Sequence, residues 1–137
     1  MYYKRKAFQD YQENQVMSAP PERLLLLLIE GLNANISNAR KAIEDGNSNI
    51  RRENLRKARD ICTELISSLN YDIGGEIAMN LHRLYMFVNQ QLIEADVQDS
   101  IKHLDDASRV MGIIESGWRE AVANVQEERA SSIREGI

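Results

Sequence analysis

Any chemistry in this 137-residue chain has to begin from a short set of reactive side chains, since it holds two histidines and one cysteine. A carboxylate-bridged metal pair inside a helical bundle needs Glu-x-x-His on two helices, because the three-residue step turns both ligands inward. Met79 stands three residues before His82, and Ser100 three before His103, so neither position carries the motif. Both histidines read as partly exposed helix residues, and no metal is expected. Cys62 has no partner for a disulfide and sits among apolar positions, which makes it a small core residue rather than a nucleophile. Gly74-Gly75 precedes a helical pattern, where backbone N–H groups could meet an anion. No strand comes before it, so the pair reads instead as a turn that uses glycine's access to positive φ. No serine or cysteine has a base at a recognisable spacing. Neither an enzyme activity nor a cofactor is expected.

The elements that position any site are helices. Apolar residues make up 43% and charged residues 28% of the chain, a globular balance, and only two prolines interrupt it. The net charge of −4 gives no broad basic field, so neither nucleic acid nor an anionic membrane is an expected partner. Arg51, Arg52, Arg56, Lys57 and Arg59 cluster, but Glu53 and Asp60 interleave them, as on a solvated helix face. The basic start has no apolar stretch after it, so it does not read as a signal peptide. The longest apolar run, Leu24 to Ile29, is far short of the roughly 20 residues that span a bilayer. The cytoplasm is the expected compartment.

Residues 1–17 form no helical stripe and read as a flexible N-terminal arm. Ser18-Ala19-Pro20-Pro21-Glu22 is a helix start, with Ser18 as cap and proline in the first turn. The first predicted helix runs to about Asp45 with Leu25, Leu28, Ile29, Leu32, Ile36, Ala39 and Ile43 in line, and Gly46 stops it. The second covers 50–69 through Leu55, Ala58, Cys62, Leu65 and Leu69. The third covers 75–95 through Ile77, Leu81, Leu84, Val88, Leu92 and Ala95, after a break over Asn70 to Gly75. The fourth covers 99–126 through Ile101, Leu104, Ala107, Met111, Ile114, Trp118 and Val122, and 127–137 is a polar tail expected to fray. Short links between amphipathic helices make neighbours antiparallel, so the expected fold is an all-α, up-down four-helix bundle over 18–126.

This bundle has more apolar helix surface than one interior needs. Leu24 and Leu27 lie off the first stripe, and Gly31 and Ala34 continue their line with small side chains, which makes a shallow groove. The third helix has an off-core line of Met79, His82, Met86 and Ile93, and methionine suits a surface that repacks around a partner. The fourth helix adds Val110, Ile113 and Gly117. Such surfaces imply a partner, either the chain's own arm, a second copy, or a foreign peptide. Tyr3, Phe8, Tyr11 and Met17 could cover the groove until a client arrives.

Several segments resemble the flagellar secretion chaperone family FliS. They are Tyr11-Gln12-Glu13-Asn14, Ser18 to Leu24, Leu28-Ile29-Glu30-Gly31, Leu69 to Leu81 with Leu84-Tyr85, Leu92-Ile93-Glu94-Ala95 and Trp118-Arg119-Glu120-Ala121. Ile29 departs from the tyrosine more often found there. The resemblance spans about 8–122. It implies an export chaperone whose client is the disordered C-terminal segment of flagellin, held unpolymerised and delivered to the flagellar type III export apparatus. It also implies the export gate, an anti-sigma factor or a flagellin-binding assembly factor as further partners. The expected state of the chain itself is a monomer or weak homodimer. By resemblance the client groove falls on Tyr11, Val16, Met17, Leu24, Leu27 and Gly31, and the off-core line adds Met86 and Ile93. Tyr11 could equally be a structural staple, while Tyr85 and Trp118 read as core aromatics. The rival reading is a helical adaptor or homodimer without a flagellin client.

Overall fold

Apolar residues recur at three- and four-residue steps in four stretches, and each folds as an α-helix in the computed structural model, which describes residues 21–135. Helix α1 spans Pro21–Glu44, α2 Ser48–Ser67, α3 Tyr71–Gln98 and α4 Ile101–Glu135. Local chemistry sets their ends. Asn47 and Asn70 hold extended backbone ahead of α2 and α3, and each side-chain oxygen accepts a 3.1 Å hydrogen bond, from the Ile50 and Ile73 N–H groups respectively. Ser100 Oγ accepts from the His103 N–H at 3.3 Å. Gly46 takes a φ of +71° just past α1, where a side chain would be strained.

Each helix packs beside the next and α4 returns to α1, so the four close into a ring in which α1 and α3 are diagonally opposed. Neighbours run antiparallel: near the end of α1, Arg40 meets Asp105 at 2.9 Å, and at its start Glu22 meets Arg129. The interior is an unbroken apolar column. Ile29, Leu32 and Ile36 of α1, Leu55, Cys62 and Leu65 of α2, Tyr85, Val88 and Leu92 of α3, and Leu104, Met111 and Ile114 of α4 are its main members. Among the described residues no polar or charged residue is buried in it. Each leucine or isoleucine so removed from water contributes about 1.5–3 kcal/mol.

Four expectations need adjustment. First, α3 begins at Tyr71, because Asn70 is a competent cap, and the break expected over 70–75 becomes a kink at Gly75. Second, α4 does not fray after residue 126 but continues to Glu135, as Gln126 to Ala130 are good helix formers and Arg129 is tied to Glu22. Third, Arg51 leaves the solvated basic face. Its side chain is only 11% exposed, with Nε 3.1 Å from Asp96 and a further ion pair to Asp99, so it clamps the start of α2 to the end of α3. Arg56 does stay on the wet face, between Glu53 at 2.9 Å and Asp60 at 3.1 Å. Fourth, Leu26 and Ala42 join the buried face of α1, which spans a wide arc because both α2 and α4 cover it. The expected cap Ser18 and the arm over 1–17 lie outside the described residues.

Cys62 is fully buried and its thiol donates to the Tyr85 carbonyl oxygen at 3.1 Å. Burial pushes the thiol from 9.0 up to about 11, and burial likewise raises the Tyr85 phenol. The unfolded chain therefore loses its thiol proton first. The stabilisation is whole below pH 9.0 and is lost as pH rises towards about 11. Urea midpoints should fall across that window, and Cys62→Ala should make the fall shallower. At pH 8, a thiol reagent should label Cys62 rapidly in urea and slowly in the native protein.

Candidate functional site

Most of the exposed large apolar side chains among the described residues lie on α3, at its kink and beyond it. Gly75 has φ 50° and ψ −121°, the mirror image of extended backbone, which only glycine adopts without strain. A Cβ on the preceding Gly74 would come within 2.9 Å of the Ala78 Cβ, so the helix turns sharply on two residues that lack side chains. Tyr71 spans the kink: its hydroxyl lies 2.9 Å from His82 Nδ1, and the two rings meet edge to face with centroids 6.0 Å apart. This contact holds the first turn of α3 against the rest of the helix.

Past the kink, α3 turns Ala78, Tyr85, Val88, Leu92 and Ala95 inward. Ile77 and Leu84, expected in the core, sit one residue off that line and are 72% and 40% exposed. Ile73 and Phe87 are exposed as well, and Ile113 of α4 is 71% exposed. His103 Nδ1 lies 2.6 Å from Gln91 Oε1 and sets the register between the two helices. Equal steps away from that contact bring Leu84 opposite Val110 and Ile77 opposite Gly117 on the antiparallel helices. A Cβ at Gly117 would meet nothing within 4 Å. The result is a shallow surface with large apolar side chains on α3, small ones on α4, and Ile113 at its margin.

The residues expected to form a groove are divided by the fold. Leu24, Leu27 and Gly31 are half-buried on α1. They lie towards α2, where a Cβ on Gly31 would come 3.5 Å from Ile61 Cδ1. Met86 is exposed and Ile93 half-buried on α3. These two alternate along α3 with Asn89 and Asp96, which face α2. Because α1 and α3 are diagonal, the two groups flank α2 on opposite sides and form no single groove. Tyr11, Val16 and Met17 lie outside the described residues. Tyr85 is buried, as expected of a core aromatic, and Trp118 packs partly buried against the core.

Ile77 and Leu84 escape a surface reading because their size and spacing suggest the interior, Ile73 falls in the expected break, and Phe87 lies on neither predicted line. The signal that separates them is the seven-residue repeat Ala78, Tyr85, Leu92, joined by Leu81, Val88, Ala95, which defines the inward phase of α3 without Ile77 or Leu84. Elsewhere, Arg56, Arg59, Asp60, Thr63 and Asn89 line a polar cavity of about 190 Å³ between α2 and α3. Among the described residues, no three His, Cys, Asp or Glu side chains are grouped to hold a metal ion. None of the described helices is long and apolar enough to cross a membrane.

The family model described as "Flagellar protein FliS" matches residues 4–125. The flagellar secretion chaperone FliSB of Pseudomonas aeruginosa is 35% identical over 120 residues, covering 85% of this chain and 95% of that protein. The flagellar secretion chaperone FliS of Vibrio cholerae is 32% identical over 106 residues, covering 77% and 78%. A solved structure described as "Crystal structure of flagellar chaperone from bacteria" shares the fold, with a TM-score of 0.71 at 24% identity, over 88% of this chain and 98% of that one.

The two glycines that shape the surface should respond oppositely to substitution. Gly75→Ala should cost about 1–3 kcal/mol in urea unfolding, because alanine is strained at that backbone conformation. Gly117→Ala should raise stability by up to about 1 kcal/mol, since it sits in regular helix with open space around it. Equal effects at the two positions would count against the kink.

Proposed function

The chain belongs to the FliS family of flagellar proteins, and from that premise we propose that its client is the C-terminal segment of flagellin, held in the cytoplasm until export. The family is one of export chaperones and not of enzymes, and its relatives carry the name flagellar secretion chaperone. The observation that carries the client assignment is the open apolar surface of Ile73, Ile77 and Leu84 on α3 beside Ile113 on α4. A monomeric bundle does not need these side chains for its own core, and contiguous exposed apolar surface marks a contact with another chain.

The client segment is disordered when free. Ordering it costs several kcal/mol. Burying three or four large aliphatic side chains, at about 1.5–3 kcal/mol each, offsets that cost without any nucleotide. Flagellin assembles through coiled-coil packing of its terminal helices, so a client whose C-terminal apolar stripe lies on the chaperone has lost the face it needs to polymerise. A long client can continue across α3 onto Met86 and Ile93 on its other flank, and onto Leu24, Leu27 and Gly31 across α2, with Tyr11, Val16 and Met17 adding contacts. Delivery to the export gate, and contact with an anti-sigma factor or a flagellin-binding assembly factor, belong to the same reading.

Titration calorimetry with a flagellin C-terminal peptide tests it. Binding should be sub-micromolar. Ile77→Asp should weaken it at least tenfold, a loss of about 1.4 kcal/mol or more, with the melting temperature nearly unchanged because Ile77 is mostly in water. No heat with an authentic client would end the client assignment. Wild-type affinity in both Ile77→Asp and Leu84→Asp would move the client to another face.

A further inference from the structure

The flank of α3 turned away from Ile77 and Leu84 carries a second pattern, shared with α2. Met79, Met86 and Ile93 stand seven residues apart, and Val97 follows one turn later. Met79, Met86 and Val97 are exposed and Ile93 is half-buried. Along the facing edge of α2 run Arg52 and Arg59, also seven apart and both exposed. The Cys62 bond to the Tyr85 carbonyl and the Arg51–Asp96 pair set the register of the two antiparallel helices. Equal steps from those contacts place Arg52 beside Ile93 and Val97, and Arg59 beside Met86. Among the described residues neither Arg52 nor Arg59 has an ion partner, whereas Arg56 between them is already held by Glu53 and Asp60.

The two rows form one groove with unlike walls. The polar cavity of about 190 Å³ between α2 and α3, with Arg59, Thr63 and Asn89 in its lining, gives an acidic side chain room to descend to Arg59. Seven residues of helix rise about 10.5 Å, so both rows keep step with every second turn of an incoming helix. An extended segment repeats its side chains on one face every 6.6 Å or so, about two residues at 3.3 Å, and falls out of step with both. The free positive charge calls for carboxylates. The chain's own residues 1–10 bring Lys4, Arg5 and Lys6 against one acid, Asp10, so they do not answer it. A second copy laid two-fold on this face returns the same arginines.

We propose that this groove receives an acidic amphipathic helix of a second protein, bound apart from the client segment. Its apolar stripe lies on Met79, Met86, Ile93 and Val97, a length of about 27 Å from 18 residue steps at 1.5 Å each. Glu or Asp residues seven apart on its flank meet Arg52 and Arg59, and these charges select the partner and fix its register. A client that reaches Met86 and Ile93 shares those two side chains with this helix, so the two exclude each other there; that consequence rests on the client reading, whereas the docking itself does not.

Fluorescence anisotropy on the full chain tests it, with two synthetic helical peptides long enough to span the groove. Both carry leucine at the apolar positions; one has glutamate on the flank and the other lysine. The glutamate peptide should bind with roughly micromolar affinity that falls in high salt, and the lysine peptide at least about tenfold more weakly. Arg52→Glu combined with Arg59→Glu should reverse that preference, and Met86→Asp should abolish binding of either peptide. Ile77→Asp should leave both affinities unchanged. The double variant should melt and sediment as wild type does, and should bind a flagellin C-terminal peptide within about threefold of it. Failure of the glutamate peptide to bind overturns the proposal, as does equal affinity for the two peptides or indifference to the double substitution. A loss of flagellin binding of about tenfold in that variant gives the groove to the client, and a change in its melting or sedimentation gives it to the chain's own arm or a second copy; either result also overturns the proposal.

Discussion

Each helix in a ring of four touches only two neighbours, so it can hide only a limited arc of its circumference. That limit governs everything notable about this protein. α1, α2 and α4 fit their large apolar side chains largely within the arc, and residues such as Ile29, Leu55 and Leu104 are wholly shielded. α3 cannot, because it carries two apolar lines about one residue apart. One runs through Ala78, Tyr85 and Leu92, the other through Ile77 and Leu84. Turning the first inward leaves the second at the edge of the arc, in water. No rotation of α3 buries both, and surplus surface is a direct consequence of the sequence on that helix.

Which line wins is decided at the kink. Ala78 is the first inward residue after Gly74 and Gly75, and a Cβ on Gly74 would come within 2.9 Å of its Cβ, so the line through Ala78 is the one that follows the bend. The Tyr71–His82 contact then fixes the first turn across the bend. Small residues inside and large ones outside reverse the usual arrangement of a helix. Here the reversal occurs only at one end, because from Tyr85 onwards the inward residues regain normal size.

Much of this could be read from residue order alone, and the parts that could not have physical reasons. Four helices, the Gly46 turn and the inward lines of α2 and α4 follow from spacing, because one dominant phase exists in each. For α3 two phases fit the same three- and four-residue steps. Side-chain volume favoured the wrong one for Ile77 and Leu84, and no local rule weighs the kink at Gly75. Arg51 looked like one more solvated cation, since its acceptors, Asp96 and Asp99, are 45 and 48 residues away. Met86 was recognisable as surface from composition, and Leu24 and Leu27 as off-core. That α2 separates α1's line from α3's is a property of the ring, which no single helix encodes.

The bundle consequently has two unlike ends. Where α2 begins and α3 ends, Arg51 bridges Asp96 and Asp99, and Ala39, Leu55, Ala95, Leu104 and Ala107 are sealed. At the opposite end Leu25, Leu28, Ile66, Leu69, Leu81 and Trp118 pack against the core while still meeting solvent. Local opening costs least where few apolar contacts are complete. A partner helix laid on the kinked end therefore completes contacts that the free protein leaves partial, and repacking there leaves the sealed half undisturbed. Had the closed end carried the surplus instead, engaging a partner would have meant breaking the Arg51 clamp and exposing the best-packed layers. Placing tight packing at one end and unfinished packing at the other allows a small single-core protein to be both stable and receptive.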